Sequence, residues 1–310
     1  MEYRTLGNTG LQVSALSFGG SPLGSVFSEV SQEQANAAVR GALDAGINLF
    51  DVSPLYGDTK AETVLGKALE GVPRDQYILS TKCGRYTFTE FDFSPERVVR
   101  SVEESLTRLK TDHIDLLFCH DIEFVDIRPV IEETLPALRK VQAQGKVRFV
   151  GVSGFPLKIF PTVLAKTDLD VVLAYCHYTL QNQRLLKLLP LLREKGVGVI
   201  SASPFAMGVL TSHTLPDWHP APPHVREVAK KAYDYAASRG TYLPDLALQF
   251  ALANKEVDTI LTGMSSEQEL QRNLQAMASS IDAETLEGVK QILEPIRDFV
   301  WASGRPENNE

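Results

Sequence analysis

Apolar and polar positions come in blocks along this chain. Short apolar runs ("ALSFGG" at 15–20, "INLFDV" at 47–52, "YILSTK" at 77–82, "IDLLFC" at 114–119, "VRFVGVS" at 147–153, "VVLAYC" at 171–176, "VGVISA" at 197–202 and "DTILTG" at 258–263) alternate with longer segments in which apolar residues return every three or four positions. The runs read as buried strands and the intervening segments as amphipathic helices. The helix after the first run carries Ala35, Ala38, Val39, Ala42 and Leu43 on one face, opens on a Ser31–Gln34 capping box and stops at Gly46. A second helix carries Val64, Leu65, Ala68 and Leu69; a third, opened by Ser94-Pro95, carries Val98, Val102, Leu106 and Leu109. Further helices end at Gly145 and Gly196, a short one follows Pro156, and two precede the last run. "YRTL" and "LQVS" around Asn8-Thr9-Gly10 predict an N-terminal hairpin. Eight strands, nearly all followed by helices, are the arithmetic of a single α/β domain of (β/α)8 barrel type. The reading has one barrel over 1–302, a long Pro- and His-rich insertion, "SHTLPDWHPAPPH", and a polar tail over 303–310 expected to be disordered.

Composition narrows the class of partner. The 310 residues include 44% hydrophobic ones, ample for a large core, and 31 Lys plus Arg against 39 Asp plus Glu give a net charge of −8. That balance disfavours nucleic acid and anionic membrane as partners. Cys83, Cys119 and Cys176 are widely spaced and form neither a disulfide framework nor a metal-ligand pattern. With no targeting segment and no membrane span in the sequence, the expectation is a cytoplasmic protein, a monomer or weak homodimer, acting on a small molecule.

The barrel gives meaning to particular polar residues, because chemistry in such folds sits at the C-terminal ends of the strands. Asp51 ends the second run, Tyr56 follows on its loop, Lys82 ends the third and His120 the fourth. Each alone has a structural explanation: an aspartate capping a turn, a rim tyrosine, a surface lysine, a capped histidine. Together they make a proton-transfer device, in which the ammonium favours phenolate, Asp51 holds the ammonium and His120 orients a substrate oxygen. Cys83 and Cys119, next to Lys82 and His120, read as small buried thiols, and His213, His219 and His224 as loop histidines. A metal-dependent hydrolase built on Asp51, His120 and Asp121 is disfavoured, since a lysine in the ligand sphere would oppose the cation. A cofactor-binding regulatory subunit would bind tightly without turnover.

These residues, with "LGNTGLQVS", "GINLFDVSPLYG", "GKVRFVGVSGF" and "SPFAMGVL", resemble the aldo-keto reductases over essentially the whole chain. "YILSTKCGRYTF", "CHDIEF", "YCHY" and "PDWHPA" look most like the family's sugar dehydrogenases. The resemblance implies oxidation of the anomeric C1 hydroxyl of an aldose, L-galactose foremost, to its lactone; the alternatives are another aldose or NADPH-dependent aldehyde reduction. It implies a nicotinamide cofactor along the strand-end rim, held by Gly20, Ser153, Ser201, Ser203, Pro204, Phe205, Met207, Gly208, Leu210, Gly263, Ser265, Glu269 and Asn273, with His120, Asp121 and Trp218 at the substrate and no metal. Departures matter: Gly154 and Ala202 stand where many members have an asparagine and an aromatic, and Arg272 replaces an acidic neighbour of Asn273. NADP-using members place cations at the positions of Gly263 and Glu269, so charge favours NAD here.

Overall fold

A computed structural model describes residues 1–26, 28–215, 217 and 219–309. Strands β1 (Tyr3–Thr5) and β2 (Gln12–Ser14) pair antiparallel as the predicted hairpin. The eight predicted strands follow in order: β3 (Leu16–Gly19), β4 (Leu49–Asp51), β5 (Ile78–Cys83), β6 (Ile114–Cys119), β7 (Val147–Gly154), β8 (Val171–Tyr175), β9 (Gly198–Ala202) and β10 (Thr259–Gly263). They are parallel, and β10 pairs with β3 to close the barrel. Helices cover the outside: α1 (Gln32–Asp44), α2 (Lys60–Ala68), α3 (Pro95–Leu109), α4 (Ile127–Pro129), α5 (Leu135–Ala143), α6 (Ile159–Leu164), α7 (Leu189–Glu194), α8 (Pro223–Ser238), α9 (Leu243–Ala253), α10 (Glu267–Ala278) and α11 (Ala283–Leu293). The Ser31–Gln34 capping box of α1 is formed. Among the described residues no helix is long and apolar enough to cross a membrane.

Side chains alternate along each strand, which explains why the strands are apolar on both faces. One set, including Leu49, Ile78, Leu116, Phe118, Leu173 and Ile200, fills the barrel interior together with Leu6, Leu11 and Val13 of the hairpin. The other set, including Phe18, Phe50, Leu79, Leu117, Val150 and Val172, packs beneath the helices. The hairpin plugs the N-terminal end of the barrel. Gly7 lies there with φ 48°, and a Cβ on it would stand 2.3 Å from the backbone N of Gly198, so only glycine lets the plug seat.

Two local features differ from the sequence reading. A π-helical turn, Val130–Thr134, joins α4 to α5; Pro136 has no N–H to donate to the carbonyl four residues back, which disturbs the helical register there. The tail expected to be disordered folds back on the molecule instead, with a 3-10 turn over Pro306–Asn308. Its polar groups find fixed partners: Asn308 Nδ2 donates to the carbonyls of Glu123 and Val125, both at 2.9 Å, and Arg305 N donates to Glu123 O at 2.8 Å.

Candidate active site

Strand alternation places Asp51, Lys82, His120, Ser153 and Tyr175 in the inward row at the C-terminal rim, two residues beyond Leu49, Ser80, Phe118, Gly151 and Leu173 respectively. The β4–β5 register sets Asp51 opposite Ser80. Ser80 Oγ donates to Asp51 Oδ2 at 2.5 Å, and Lys82 Nζ donates to Asp51 Oδ1 at 2.5 Å and to Val52 O at 2.8 Å. Asp51 is 2% exposed and Lys82 1%. Two charges so deeply buried persist only when paired and hydrogen-bonded, as these are. Burial pulls the Lys82 ammonium down, but Asp51 and Tyr56 outweigh it and hold the group above its usual value, protonated. Tyr56, partly buried on the turn after β4, lies with its ring centroid 4.8 Å from that ammonium.

Burial pushes the Tyr56 phenol above its usual value, the Asp51 and Asp121 charges add to this, and Lys82 pulls against them. The lysine therefore acts in the direction foreseen, without bringing the phenol below its ordinary range. His120 continues the ladder, its N donating to Cys83 O at 2.9 Å. Its Nδ1 lies 3.0 Å from Ser53 Oγ, and its ring is edge-on to Tyr56 with centroids 5.8 Å apart. Burial, then Lys82 and Arg85, hold the imidazole well below its usual pKa. A neutral ring bonded at Nδ1 leaves Nε2 for a bound oxygen.

Beside His120, Asp121 Oδ2 lies 3.6 Å from Nε2 and 2.5 Å from Arg85 Nη1. Arg85 was not singled out in the sequence; its inclusion comes from the loop after β5 folding back through an Arg85–Phe91 bridge. Glu123 was likewise missed. Its Oε1 accepts from Phe155 N at 3.1 Å and Ser303 Oγ at 3.0 Å, and burial, then the Asp121 charge, pushes its carboxyl up to about 8. Gly154, the departure noted above, is explained here: a Cβ on it would lie 2.3 Å from Ile159 Cδ1 and 2.5 Å from Glu123 Oε2, so no asparagine side chain has room. Trp218 lies outside the described residues. A different tryptophan, Trp301, stacks on Phe155 with centroids 5.1 Å apart and meets His219 edge-on at 5.6 Å. His213 is exposed in its loop as read, but His219 is buried and His224 belongs to the first turn of α8.

The residues assigned to a cofactor lie on the same rim. Ser153 accepts only a long bond, 3.4 Å, from Asp121 N, leaving its hydroxyl hydrogen for an amide oxygen. Gly20 donates its N–H to Asp51 O at 2.7 Å, and Ser201 is buried in β9. After β9 the chain Ser203-Pro204-Phe205-Ala206-Met207-Gly208 turns through left-handed backbone at Ser203, Ala206, Met207 and Gly208, ahead of Leu210. The N–H groups of this stretch close the turn on itself, Ala206 N donating to Ser203 O at 2.9 Å, Gly208 N to Phe205 O at 3.0 Å and Leu210 N to Phe205 O at 3.1 Å, which fixes the shape of the loop at the rim. At the other side of the rim, Gly263 ends β10 and α10 begins. Glu269 Oε2 accepts from Ser265 N at 2.7 Å and Ser265 Oγ at 2.9 Å, so a carboxylate occupies donors at this helix N-terminus. Asn273 is buried on α10, whereas Arg272 is engaged by Asp245 at 3.2 Å and by the Tyr242 ring at 3.6 Å.

A closed (β/α)8 barrel with a buried aspartate–lysine pair, a tyrosine and a neutral histidine on its open rim defines an oxidoreductase site for a nicotinamide cofactor. The chain belongs to the aldo/keto reductase family, whose model matches residues 15–294. It is similar to the L-galactose dehydrogenase of Arabidopsis thaliana, at 50% identity over 99% of each chain. It is also similar to the D-arabinose 1-dehydrogenase of Saccharomyces cerevisiae, at 33% identity over 95% of each. A solved aldo-keto reductase from Bacillus halodurans in its holo form superposes with a TM-score of 0.79 at 28% identity, covering 100% of both chains.

Proposed function

We propose that the protein is an NAD-dependent aldose 1-dehydrogenase that oxidises L-galactose at its anomeric carbon to the lactone. The observation that carries this reading is the buried Asp51–Lys82 pair set against Tyr56, with neutral His120 beside it, in a chain half identical to an L-galactose dehydrogenase. Bound NAD would supply the hydride acceptor, held by Ser153, the Ser203–Gly208 turn and the α10 N-terminus. Tyr56 as phenolate takes the proton of the C1 hydroxyl while the C1 hydrogen leaves as hydride, and the C1–O bond becomes the lactone carbonyl. His120 Nε2–H donates to the same oxygen and fixes its position between the two side chains. Lys82 stabilises the phenolate, and Asp51 stabilises and orients Lys82. The charge at Glu269 supports NAD over NADP, because a 2′-phosphate approaching the turn ahead of α10 meets a carboxylate already bound to Ser265 there.

The test is a panel of L- and D-aldoses with NAD and with NADP, followed by the absorbance of the reduced nicotinamide. L-Galactose with NAD is expected to give the highest kcat/KM. Turnover confined to reduction of simple aldehydes with NADPH would replace this reading with that of an aldehyde reductase.

A further inference from the structure

The Arg85–Asp121 pair is built unlike the buried ion pairs of Asp51 and Asp115. Asp51 has both oxygens committed, to Ser80 and to Lys82. Asp115 also has both committed, to Arg74 and Leu79 N through Oδ2 and to Arg148 through Oδ1. Such saturation is what a buried structural charge requires. Asp121 is 5% exposed, yet only Oδ2 is bonded, and no hydrogen bond to Oδ1 exists among the described residues. Arg85, 9% exposed, spends a single N–H on the pair, and its buried Nε has no partner. The guanidinium is instead fixed by faces of Phe124 at 4.5 Å and Phe91 at 5.1 Å, rings that stack on each other at 5.2 Å. Asp121 itself sits in left-handed backbone, φ 51°, a conformation that is strained for a non-glycine residue. The carboxylate oxygen held by Arg85 is 3.6 Å from His120 Nε2. An oxygen seated on Nε2 therefore has this carboxylate as its neighbour.

We propose that Asp121 and Arg85 read the hydroxyl on the carbon next to the reacting one, Asp121 as its acceptor and Arg85 as the positioning residue that holds the acceptor. The inference rests on the aldose dehydrogenase reading above. It makes the substrate class 2-hydroxylated sugars, distinguished from 2-deoxy sugars and simple alcohols. A carboxylate placed to accept a hydroxyl is left buried and unpaired by an analogue lacking that group, and the analogue is rejected strongly.

The experiment compares kcat/KM for L-galactose and 2-deoxy-L-galactose with NAD. The wild-type protein should disfavour the deoxy sugar by about 100-fold or more. Intrinsic reactivity works the other way, since removing an electron-withdrawing hydroxyl eases hydride loss. Asp121→Asn should reduce the ratio to about tenfold or less, because an amide makes a weaker contact than a carboxylate. Arg85→Gln should raise KM for L-galactose by about tenfold while leaving kcat within a few-fold, and Arg85→Lys, which restores the charge, should recover part of the loss. A pair that only braces the two loops would lower kcat with both sugars alike, and that result overturns the proposal. Should a variant fail to fold, the wild-type comparison decides alone: equal use of the two sugars sinks the pair but leaves the dehydrogenase standing. A protein that oxidises no aldose sinks the functional reading and the pair with it.

Discussion

At Tyr56 two opposing effects meet on one atom. Burial, reinforced by the charges of Asp51 and Asp121, disfavours phenolate, while Lys82 favours it, and the phenol stays above its usual range. Oxidation needs the phenolate, so its rate should climb as pH rises toward the phenol's pKa; reduction, which needs the phenol, should be flat at neutral pH and fall in strong alkali. Tyr56→Phe removes the oxygen that accepts the proton and should lower kcat by about 100-fold or more with the NAD dissociation constant little changed. Retention of more than a tenth of the rate would rule Tyr56 out as the base. Lys82→Met leaves burial and Asp51 unopposed, so the rising limb of the oxidative profile should move to higher pH as the rate falls. An unmoved limb would show that the ammonium does not act on the phenol.

At the level of elements, the N-terminus of α10 combines two uses of one side chain. Glu269 Oε2 holds Ser265 through its N–H and hydroxyl and sets a negative charge at the helix N-terminus, while Ser266 Oγ caps the helix by accepting from Glu269 N at 3.3 Å. Glu269→Arg should release those donors and bring a cation, strengthening NADP binding by about tenfold, the scale of one charge-assisted hydrogen bond, with NAD binding little altered. Dissociation constants from fluorescence quenching decide it, and an NADP constant unchanged by the substitution would place the preference elsewhere. Elements such as these were legible in advance because their causes are local. A parallel strand buried on both faces shows as an apolar run, a helix as a spaced stripe with its cap, and alternation then dictates that Asp51, Lys82 and His120 share the inward row. Arg85, Glu123 and Trp301 were not legible, since a loop residue's place at the rim depends on how distant loops fold back over it. The tail was misread for the same reason: "SGRPENNE" has the composition of a disordered segment, and the partners of the Asn308 amide, the carbonyls of Glu123 and Val125, lie 185 and 183 positions away.

On the scale of the whole molecule the two ends of the barrel are closed by different means. Leu6, Leu11 and Val13 seal the N-terminal end with apolar contacts that are indifferent to pH, whereas the chain's last residues are tied to the catalytic end through Glu123. This residue accepts from Phe155 N at the end of β7 and from Ser303 Oγ in the tail, and its other oxygen is buried without a partner. Such a site suits the neutral acid: burial and the nearby Asp121 charge push the carboxyl from 4.5 up to about 8. A carboxyl whose pKa is raised by folding stabilises the native state fully below its unfolded value, and that contribution is lost as pH rises through the folded value. Stability linked to Glu123 should therefore be complete near pH 4.5 and decline up to about pH 8. Above that pH an ionised Glu123 stands buried beside the Asp121 charge, the tail packed on it should open more readily, and its backbone amides should exchange with solvent faster than those of the barrel strands. Glu123→Gln keeps a neutral group of the same shape and cannot ionise, so it should flatten this part of the curve of Tm against pH. Thermal melts of both proteins from acid to mildly alkaline pH, with hydrogen exchange read over residues 303–309, measure the difference. Parallel Tm curves for the two would mean that folding leaves the Glu123 carboxyl unshifted, and that the tail is held independently of its charge.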